Sequence, residues 1–269
     1  MNKNQTLIRD MDRCQVKRGH LAFWWLGQHS FVVKTSEAVL YLDPFLSPHP
    51  KRRIPPLLKP AEVTNADFIF GSHDHGDHID RQVWPTMATA SPNARFVVPE
   101  ILRKKLTREL GIPNGRFLGV DDGKSVKTPG VKITGIAAAH ELLEPNPRTG
   151  QFAFLGFVIE SGGCVIYHSG DCCIYEGLQT KLKQWKFDAA FLPINGRDAK
   201  RLASDCIGNM TYQEAADLAG AVKPRLIVPA HFDMFKGNLE DPSLFADYMR
   251  VKYPRVKVCV PEYGKLVIV

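Results

Sequence analysis

Short runs of β-branched and aromatic residues, each broken by glycine or a polar residue, mark the first part of the chain. Gly27 and Glu37 separate three such runs, a pattern that is typical of successive antiparallel strands. A segment rich in proline and basic residues follows at 47–60 and predicts an irregular surface loop. Strands are therefore predicted at 20–26, 30–35 and 39–42, with a further buried strand at 67–71.

Helical and extended patterns alternate in the rest of the chain. Residues 99–110 have helical spacing with Gly111 as a stop, and Thr211 and Glu214 form a capping-box pattern that opens a helix ending at Gly220. Because strands precede helices in both halves, we expect an α/β chain (α+β) with two sheets packed face to face and helices outside. The extended runs predict strands at 131–138 and 226–229 and a hairpin of 152–160 with 164–168.

The composition is that of an ordinary folded protein. With 269 residues, of which 44% are hydrophobic and 23% charged, the chain can bury one large core. We expect a single domain over 1–269, or two fused halves, with residues 1–18 as an N-terminal extension. No apolar run approaches the roughly 18 residues of a membrane helix, and the N-terminus carries charges where a signal peptide is apolar, so a soluble, cytoplasmic protein is predicted.

The cysteines and the net charge narrow the function classes. Six cysteines without a CxxC pair are too few for a disulfide scaffold and predict reduced thiols. The net charge of +7 favours anionic partners in principle. Lysine and arginine are nevertheless spread along the chain, and the short basic clusters at 51–53 and 103–105 are typical of solvated faces. A small-molecule substrate is therefore expected, without nucleic-acid or membrane partners, and the sequence permits a homo-oligomer.

Residues 73–78 read His-Asp-His-Gly-Asp-His and follow directly after a predicted strand. Imidazole nitrogens and carboxylate oxygens suit zinc, manganese or iron, and a cluster without a cysteine ligand argues against a closed structural zinc site. The alternative is a solvated polar loop with coincidental histidines. Four candidate ligands within this block favour a metal site, namely His73, His75, Asp77 and His78.

One cluster cannot complete two coordination shells, so further ligands are expected from other strand ends. His140, Asp171 and His231 each stand where a predicted strand gives way to a loop. Taken singly, each has a plainer interpretation as a hydrogen-bonded structural histidine or a turn aspartate. Their joint placement favours metal ligation.

At this point the sequence resembles the metallo-β-lactamase superfamily, whose five motifs it matches in order. These are Asp43, the block at 73–78, His140, Asp171 and His231. The resemblance implies a four-layer αββα sandwich with two divalent ions, Zn²⁺ or Mn²⁺, at one edge of the sheets. It implies that Asp171 bridges the ions and that Asp43 orients the loop and a ligand histidine. The implied ligand groups are His73, His75 and His140 for one ion and Asp77, His78 and His231 for the other.

The expected reaction follows from such a pair of ions. Two divalent ions about 3.5 to 4 Å apart can share a water, lower its pKa and leave a bridging hydroxide ready to attack a carbonyl carbon or a phosphorus. Hydrolysis then needs no side-chain nucleophile, and the expected catalytic residues are Asp77, Asp171 and His231. An aspartate at 171 favours harder ions, and Cys172 is interpreted as a packing residue.

Within the superfamily the chain looks most like the L-ascorbate-6-phosphate lactonase group. The segments that carry this likeness are 71–80, 192–198, 209–211 and 228–233. The likeness implies a cytosolic enzyme that opens a lactone or ester of a small sugar-acid-like substrate, with or without a phosphate. The expected substrate contacts are Arg197, Asn195 and His29, where Arg197, with Lys200 and Arg201, would grip a phosphate and Gln28 and His29 would line the pocket mouth. Surface solvation of the basic residues and a hydrogen-bonded turn at 28–29 are the alternatives.

Two other functions compete with this one. The first is a phosphodiesterase or ribonuclease of the same superfamily, and the second is a metal-binding regulatory or scaffold protein without turnover. The segment from Asp122 to Ser125 ends like a phosphate-binding loop but lacks the upstream glycine, so it predicts a turn. Ser169 lacks the GxSxG frame of a serine-hydrolase elbow.

Overall fold

Two seven-stranded sheets form the centre of the structure, a computed structural model that describes residues 3–269. The strands are β1 Ala22–Gly27, β2 Ser30–Lys34, β3 Val39–Leu42, β4 Phe68–Phe70, β5 Arg95–Pro99, β6 Phe117–Val120, β7 Ser125–Thr128, β8 Val131–Ala137, β9 Leu155–Ser161, β10 Cys164–His168, β11 Ala189–Pro193, β12 Leu226–Ala230, β13 Lys257–Val258 and β14 Leu266–Ile268. The first sheet has the order β14-β1-β2-β3-β4-β5-β6, and the second has the order β13-β12-β11-β10-β9-β8-β7.

Both sheets change from antiparallel to parallel pairing. Strands β1, β2 and β3 pair antiparallel, as the sequence predicts, and β3 to β6 pair parallel. In the second sheet β7 to β10 pair antiparallel, and β10 to β13 pair parallel. The carboxyl ends of neighbouring parallel strands lie at the same edge of a sheet, so each sheet has an edge at which loops after successive strands meet.

The helices cover the outer faces of the sheets. They are α1 Lys3–Arg13, α2 Trp84–Ala90, α3 Glu100–Leu110, α4 Leu178–Leu182, α5 Ala199–Leu202, α6 Tyr212–Val222 and α7 Pro242–Lys252. Buried residues of α1, α2 and α3 pack with outward-facing residues of the first sheet, and those of α4, α6 and α7 belong to the cluster that includes the second sheet. The order helix, sheet, sheet, helix confirms the predicted four-layer αββα sandwich.

Alternating residues of β1 serve both faces of the first sheet. Phe23 and Trp25 belong to the core between the sheets, while Trp24 and Leu26 belong to the core under α1 to α3. All four side chains are buried. Since a strand buried on both faces needs apolar residues at every position, the continuous run that the sequence shows is explained.

Several predicted boundaries agree with the structure. Helix α3 ends before Gly111, which has a left-handed conformation with φ +65°. The loop at 47–60 is irregular apart from a single bridge of Arg52 to Phe235, and a short 3-10 helix begins at its last residue, Pro60. The segment that resembles a phosphate loop is a turn, in which Gly123 has φ +66° and the Lys124 N–H donates to the Asp121 carbonyl.

Two expectations need correction or refinement. Thr211 and Glu214 form the capping box of α6, but the helix does not end at Gly220 and continues to Val222. Gly220 is instead a packing residue, because a Cβ there would lie 2.2 Å from the ring of Tyr253. Helix α1 lies within the predicted N-terminal extension 1–18, and its Ile8 and Met11 are buried in the core under the helices. Residues 1–2 of that extension lie outside the described residues. No helix in the described range has the length and apolarity to cross a membrane.

Candidate metal centre

The predicted ligands lie at strand ends of both sheets. Asp43 follows β3 and the block at 73–78 follows β4 in the first sheet, while His140, Asp171 and His231 follow β8, β10 and β12 in the second. The structure brings all of them together. The candidate site therefore spans the junction between the two sheets.

One group of ligands consists of His73, His75 and His140, with one ligand atom of each within 4.8 Å of the others. His73 Nε2 and His75 Nδ1 are 3.0 Å apart. Burial and the neighbouring His78 lower the pKa of His73 well below its usual value, and burial lowers the pKa of His140 to about 4. Both rings are therefore neutral near pH 7, and a neutral imidazole is the form that binds a metal ion.

A second group consists of Asp77, His78 and His231, with one ligand atom of each again within 4.8 Å of the others. Asp77 Oδ2 lies 3.6 Å from His78 Nε2 and 3.7 Å from His231 Nε2. Asp171 lies beside this group, with Oδ1 3.4 Å from His78 Nε2 and Oδ2 3.2 Å from His231 Nε2. Asp171 also forms a close group with His73 and His78, so its carboxylate lies between the two sets of ligands.

The carboxylates of this site are ionised. Burial alone would raise the pKa of Asp171, but His231 and His78 outweigh burial and hold it well below the usual value. The same balance lowers the pKa of Asp77, where His78 and His231 again overcome burial. These oxygens in turn raise the pKa of His78 and of His231 against the effect of burial, so a cation bound here would replace protons between negative oxygens and ring nitrogens.

Asp43 is completely buried beneath the ligands and accepts four hydrogen bonds. Its Oδ1 accepts from the Ser72 N–H at 2.8 Å. Its Oδ2 accepts from Ser72 Oγ at 2.6 Å, from His78 Nδ1 at 2.6 Å and from His168 Nε2 at 3.0 Å. Because Nδ1 of His78 donates to Asp43, Nε2 is the ring nitrogen that faces the candidate site.

Two buried atoms test whether a cation fits. Among the described residues, His78 Nε2 and Asp171 Oδ1 have no hydrogen-bond partner, although both are buried and only 3.4 Å apart. Burying such groups without a partner costs free energy, so native proteins rarely leave them unsatisfied. An ion bound to both would remove this cost. The nitrogen and oxygen ligands, without cysteine, fit zinc or manganese.

The structure assigns roles to three residues that sequence reasoning did not include among the ligands or their supports. Ser72 donates its N–H and its Oγ–H to Asp43, and His168 donates from Nε2 to the same carboxylate. Gln28 reaches Asp77 with its side-chain amide. The available signals were position alone, since Ser72 adjoins the histidine block and His168 precedes Ser169-Gly170-Asp171.

His29 does not lie at the pocket mouth, contrary to the expected substrate contact. Its side chain is completely buried, its ring centroid is 4.2 Å from that of His168, and its Nδ1 is 3.6 Å from Asp171 Oδ1. Burial, followed by His168, lowers the pKa of His29 to about 3. Gly27, with φ +98°, turns the chain before residues 28–29. The His29 ring points into the protein interior, away from solvent.

The other expected substrate contacts are engaged with protein groups. Asn195 is fully buried and bonds to Asn238 and Asn209. Arg197 directs both terminal nitrogens to the carboxylate of Glu214, at 2.6 Å each. Arg201 likewise bonds to Asp198 and to two other acceptors, and Lys200 is exposed on α5. The polar groups of Asn195 and Arg197 are therefore bonded to other protein groups and are not directed at the metal ligands.

A cleft of about 420 Å³ opens above the ligands. It is lined by Lys51 and His49 of the loop at 47–60 and by Cys206 and Ile207. The ligands that reach the cleft are His75, Asp77, His140, Asp171 and His231. Cys172 is outside it, buried, with Sγ donating to the Cys173 carbonyl at 3.1 Å and its pKa raised by burial to about 12, as a packing residue requires.

Comparison with known proteins gives the family of this chain. A family model described as a beta-lactamase superfamily domain matches residues 39–232. A UPF0173 metal-dependent hydrolase from Caldivirga maquilingensis is 30% identical over 241 residues, which cover 89% of this chain and 94% of the relative. A UPF0173 metal-dependent hydrolase from Methanosarcina mazei is 28% identical, with coverage of 91% and 97%.

A solved structure agrees with the fold. The chain superposes on a metallo hydrolase from the archaeon Ignicoccus hospitalis with a TM-score of 0.73 and 21% identity, covering 93% of this chain and 98% of the other. The matched family segment includes Asp43 and every predicted ligand from His73 to His231. These matches leave the resemblance to the lactonase group a prediction. The chain belongs to the beta-lactamase superfamily and, within it, to the UPF0173 family of metal-dependent hydrolases.

Proposed function

We propose that this metal-dependent hydrolase uses two divalent ions, zinc or manganese, to open a small lactone or ester. The observation that carries the proposal is the convergence of two ligand groups around Asp171, with buried His78 Nε2 and Asp171 Oδ1 lacking hydrogen-bond partners among the described residues. When bound, two such ions supply a water molecule of lowered pKa.

The residues of the chain divide the work between binding and orientation. His73, His75 and His140 would hold one ion, and the lowered pKa values of His73 and His140 keep the ring nitrogens of those two residues free for it. Asp77, His78 and His231 would hold the other, with the Asp171 carboxylate between the groups. Asp43 fixes the ring of His78 through its Nδ1–H. Asp77, Asp171 and His231, which line the cleft together with His75 and His140, are the proposed catalytic residues.

Side-chain nucleophiles in the cleft are poorly suited to the reaction. Ser204 Oγ donates its hydrogen bond to the Lys200 carbonyl at 3.1 Å. A backbone carbonyl is not a base that could deprotonate the hydroxyl. Burial raises the pKa of the Cys206 thiol, so it is protonated near pH 7 and weakly nucleophilic. Attack by water is therefore the pathway that the cleft supports.

The cleft also favours a small anionic substrate. Its volume of about 420 Å³ lies in the usual range for small-molecule sites. Lys51 and His49 are among its lining residues, and Lys51 is exposed, so its ammonium can meet a carboxylate or phosphate. A sugar-acid lactone, with or without a phosphate, has this chemistry. The contact would come from Lys51, because Arg197 is already paired with Glu214.

The cellular setting completes the proposal. The six cysteines are free thiols, and the cytoplasmic setting stays a prediction from the sequence. The small-molecule substrate, the lack of a nucleic-acid partner and the homo-oligomer stay predictions.

The test combines metal analysis with a substrate panel. The purified protein is analysed for bound elements and assayed with sugar-acid lactones, simple esters and bis-p-nitrophenyl phosphate after addition of zinc or manganese. His75→Ala and Asp171→Ala are expected to lose metal and turnover together, because each removes a ligand. His20→Ala is the matched control, since His20 is exposed and lies outside the site.

Each outcome discriminates between the functions. Turnover of lactones or esters in preference to the phosphodiester supports the proposal. Preference for the phosphodiester would favour the superfamily's phosphodiesterase chemistry. A protein with two bound ions that is inert towards all three substrate classes would favour a regulatory metal-binding role, and retention of metal by both ligand variants would refute the site itself.

A further inference from the structure

Gln28 occupies a strained turn and is fixed by its backbone. It lies between β1 and β2 with φ +54°, a left-handed conformation that is unfavourable for a residue with a long side chain. Its N–H donates to Asp233 Oδ1 at 2.9 Å. Its carbonyl accepts from the His231 N–H at 3.0 Å and from Trp25 Nε1 at 3.1 Å. These contacts hold Gln28 in one position against the second sheet.

The side chain of this residue points at the second ligand group. Gln28 Nε2 donates to Asp77 Oδ2 at 2.8 Å and lies 3.0 Å from His231 Nε2. The residue is only 1% exposed, so water does not compete for these bonds. Both partner atoms belong to the group that would hold the second ion.

An amide NH₂ group in this place does what a cation would do. It offers two polarised hydrogens and no lone pair, it donates to the Asp77 carboxylate oxygen, and it occupies the space beside His231 Nε2 that a metal ion would need. A cation that binds these two atoms has to displace both contacts. Gln28 contacts no atom of His73, His75 or His140 in its hydrogen bonds, and the 3.0 Å contact within that group joins two of its own ring nitrogens, so the Gln28 amide competes only at the second group.

We propose that Gln28 is a placeholder for the second ion, so that the two metal positions fill in sequence. The position made by His73, His75 and His140 binds first. The position made by Asp77, His78 and His231 binds only when the Gln28 amide leaves Asp77 and His231. This inference rests on the proposed binuclear site, but it concerns metal binding and does not depend on which substrate is hydrolysed.

Cobalt(II) titration of the metal-free full-length protein tests the inference through visible absorption and calorimetry. The wild type is expected to bind two ions in two resolved steps. Gln28→Met keeps the length of the side chain and its backbone conformation but removes the donor. The affinity of its second step should rise at least about tenfold, because the hydrogen bond to the Asp77 carboxylate no longer has to be broken. Gln179→Met on exposed α4 is the matched control and should titrate as the wild type does.

The outcomes separate this inference from the proposed function. An unchanged second step in Gln28→Met overturns the inference, and a weakened second step also overturns it by making Gln28 a ligand. Gln28→Ala repeats the comparison if the methionine variant does not fold. A wild type that binds one ion refutes the binuclear hydrolase, whereas a second ion gained only by Gln28→Met would still support the placeholder. Two bound ions with a strengthened second step but no turnover of any substrate would leave the inference standing and refute the hydrolase.

Discussion

Replacing Asp43 by asparagine tests how the site is held from below. Asparagine has the same shape and tolerates the left-handed conformation of residue 43, which has φ +43°. The backbone is therefore spared. The substitution removes the charge and turns one oxygen into an NH₂ group.

The magnitude follows from the bonds of each oxygen. Oδ2 accepts from Ser72 Oγ, His78 Nδ1 and His168 Nε2, and Oδ1 accepts only from the Ser72 N–H. If the asparagine NH₂ group takes the Oδ2 position, it lies opposite three hydrogen-bond donors. If the amide is flipped so that NH₂ takes the Oδ1 position, it still lies opposite one donor, the Ser72 N–H. Breaking a fully buried charged cluster in this way is expected to lower the free energy of unfolding by about 3–5 kcal/mol. Loss of the His78 orientation is expected to weaken metal binding about 10–100-fold.

Urea unfolding of the metal-free protein and calorimetric metal titration measure the two effects separately. Asp188→Asn is the matched control, because Asp188 Oδ2 accepts the Val165 N–H at 2.9 Å and touches no ligand. Its side chain is 26% exposed, so its replacement should cost less than about 1 kcal/mol and leave metal binding unchanged. If Asp43→Asn unfolds within 1 kcal/mol of the wild type, about the control's cost, and binds metal as tightly, the positioning role of Asp43 is refuted.

Two further predictions concern the surroundings of the site and the packing of the helices. Burial raises the pKa of Asp233 to about 6, so the folded chain binds this proton more tightly than the unfolded chain. Protonation of Asp233 makes its full contribution to the free energy of unfolding below about pH 4. That contribution, up to about 3 kcal/mol, is lost as the pH rises through about 6. In urea unfolding of the chelated protein, Asp233→Asn should lack this fall, and an equal fall in both proteins would contradict the assignment. Gly220→Ala should lower the free energy of unfolding by roughly 1–3 kcal/mol, because the added Cβ would lie 2.2 Å from Tyr253, although alanine is the better helix former by about 1 kcal/mol. Thermal denaturation checks this against Gly115→Ala, where nothing lies within 4 Å, and a more stable Gly220→Ala would show that the ring yields freely.

The sequence predicts the strands whose burial requires a continuous run of apolar residues. Strands β1 to β3 are apolar on both faces and separated by evident breaks, so the pattern is sufficient. Strand β11 was not predicted, because Ala189 and Ala190 have low strand propensity and the segment is extended only through its pairing with β10 and β12. Strand β14 pairs with β1 from the far end of the chain, and Leu266 is half-exposed, so no local signal marks it.

The same distinction applies to the site. The ligands are predictable because metal binding demands histidine and aspartate, and these residue types stand out at strand ends. The supporting contacts are not, since a serine, a glutamine or a histidine has many uses. Gln28 and His168 acquire their roles only when residues 49 and 125 positions away are brought into contact. His29 shows the opposite error, because its residue type suggested a cleft contact and its inward direction excludes one.

The candidate ligands come from both sheets, and this has a mechanical consequence. Asp77 and His78 belong to a loop of the first sheet, and Asp171 and His231 belong to loops of the second. Ions bound between them would crosslink the two sheets at one end of the molecule. Removal of the ions by a chelator would therefore weaken the contact between the sheets, and backbone amide protons near that end would exchange faster in both sheets.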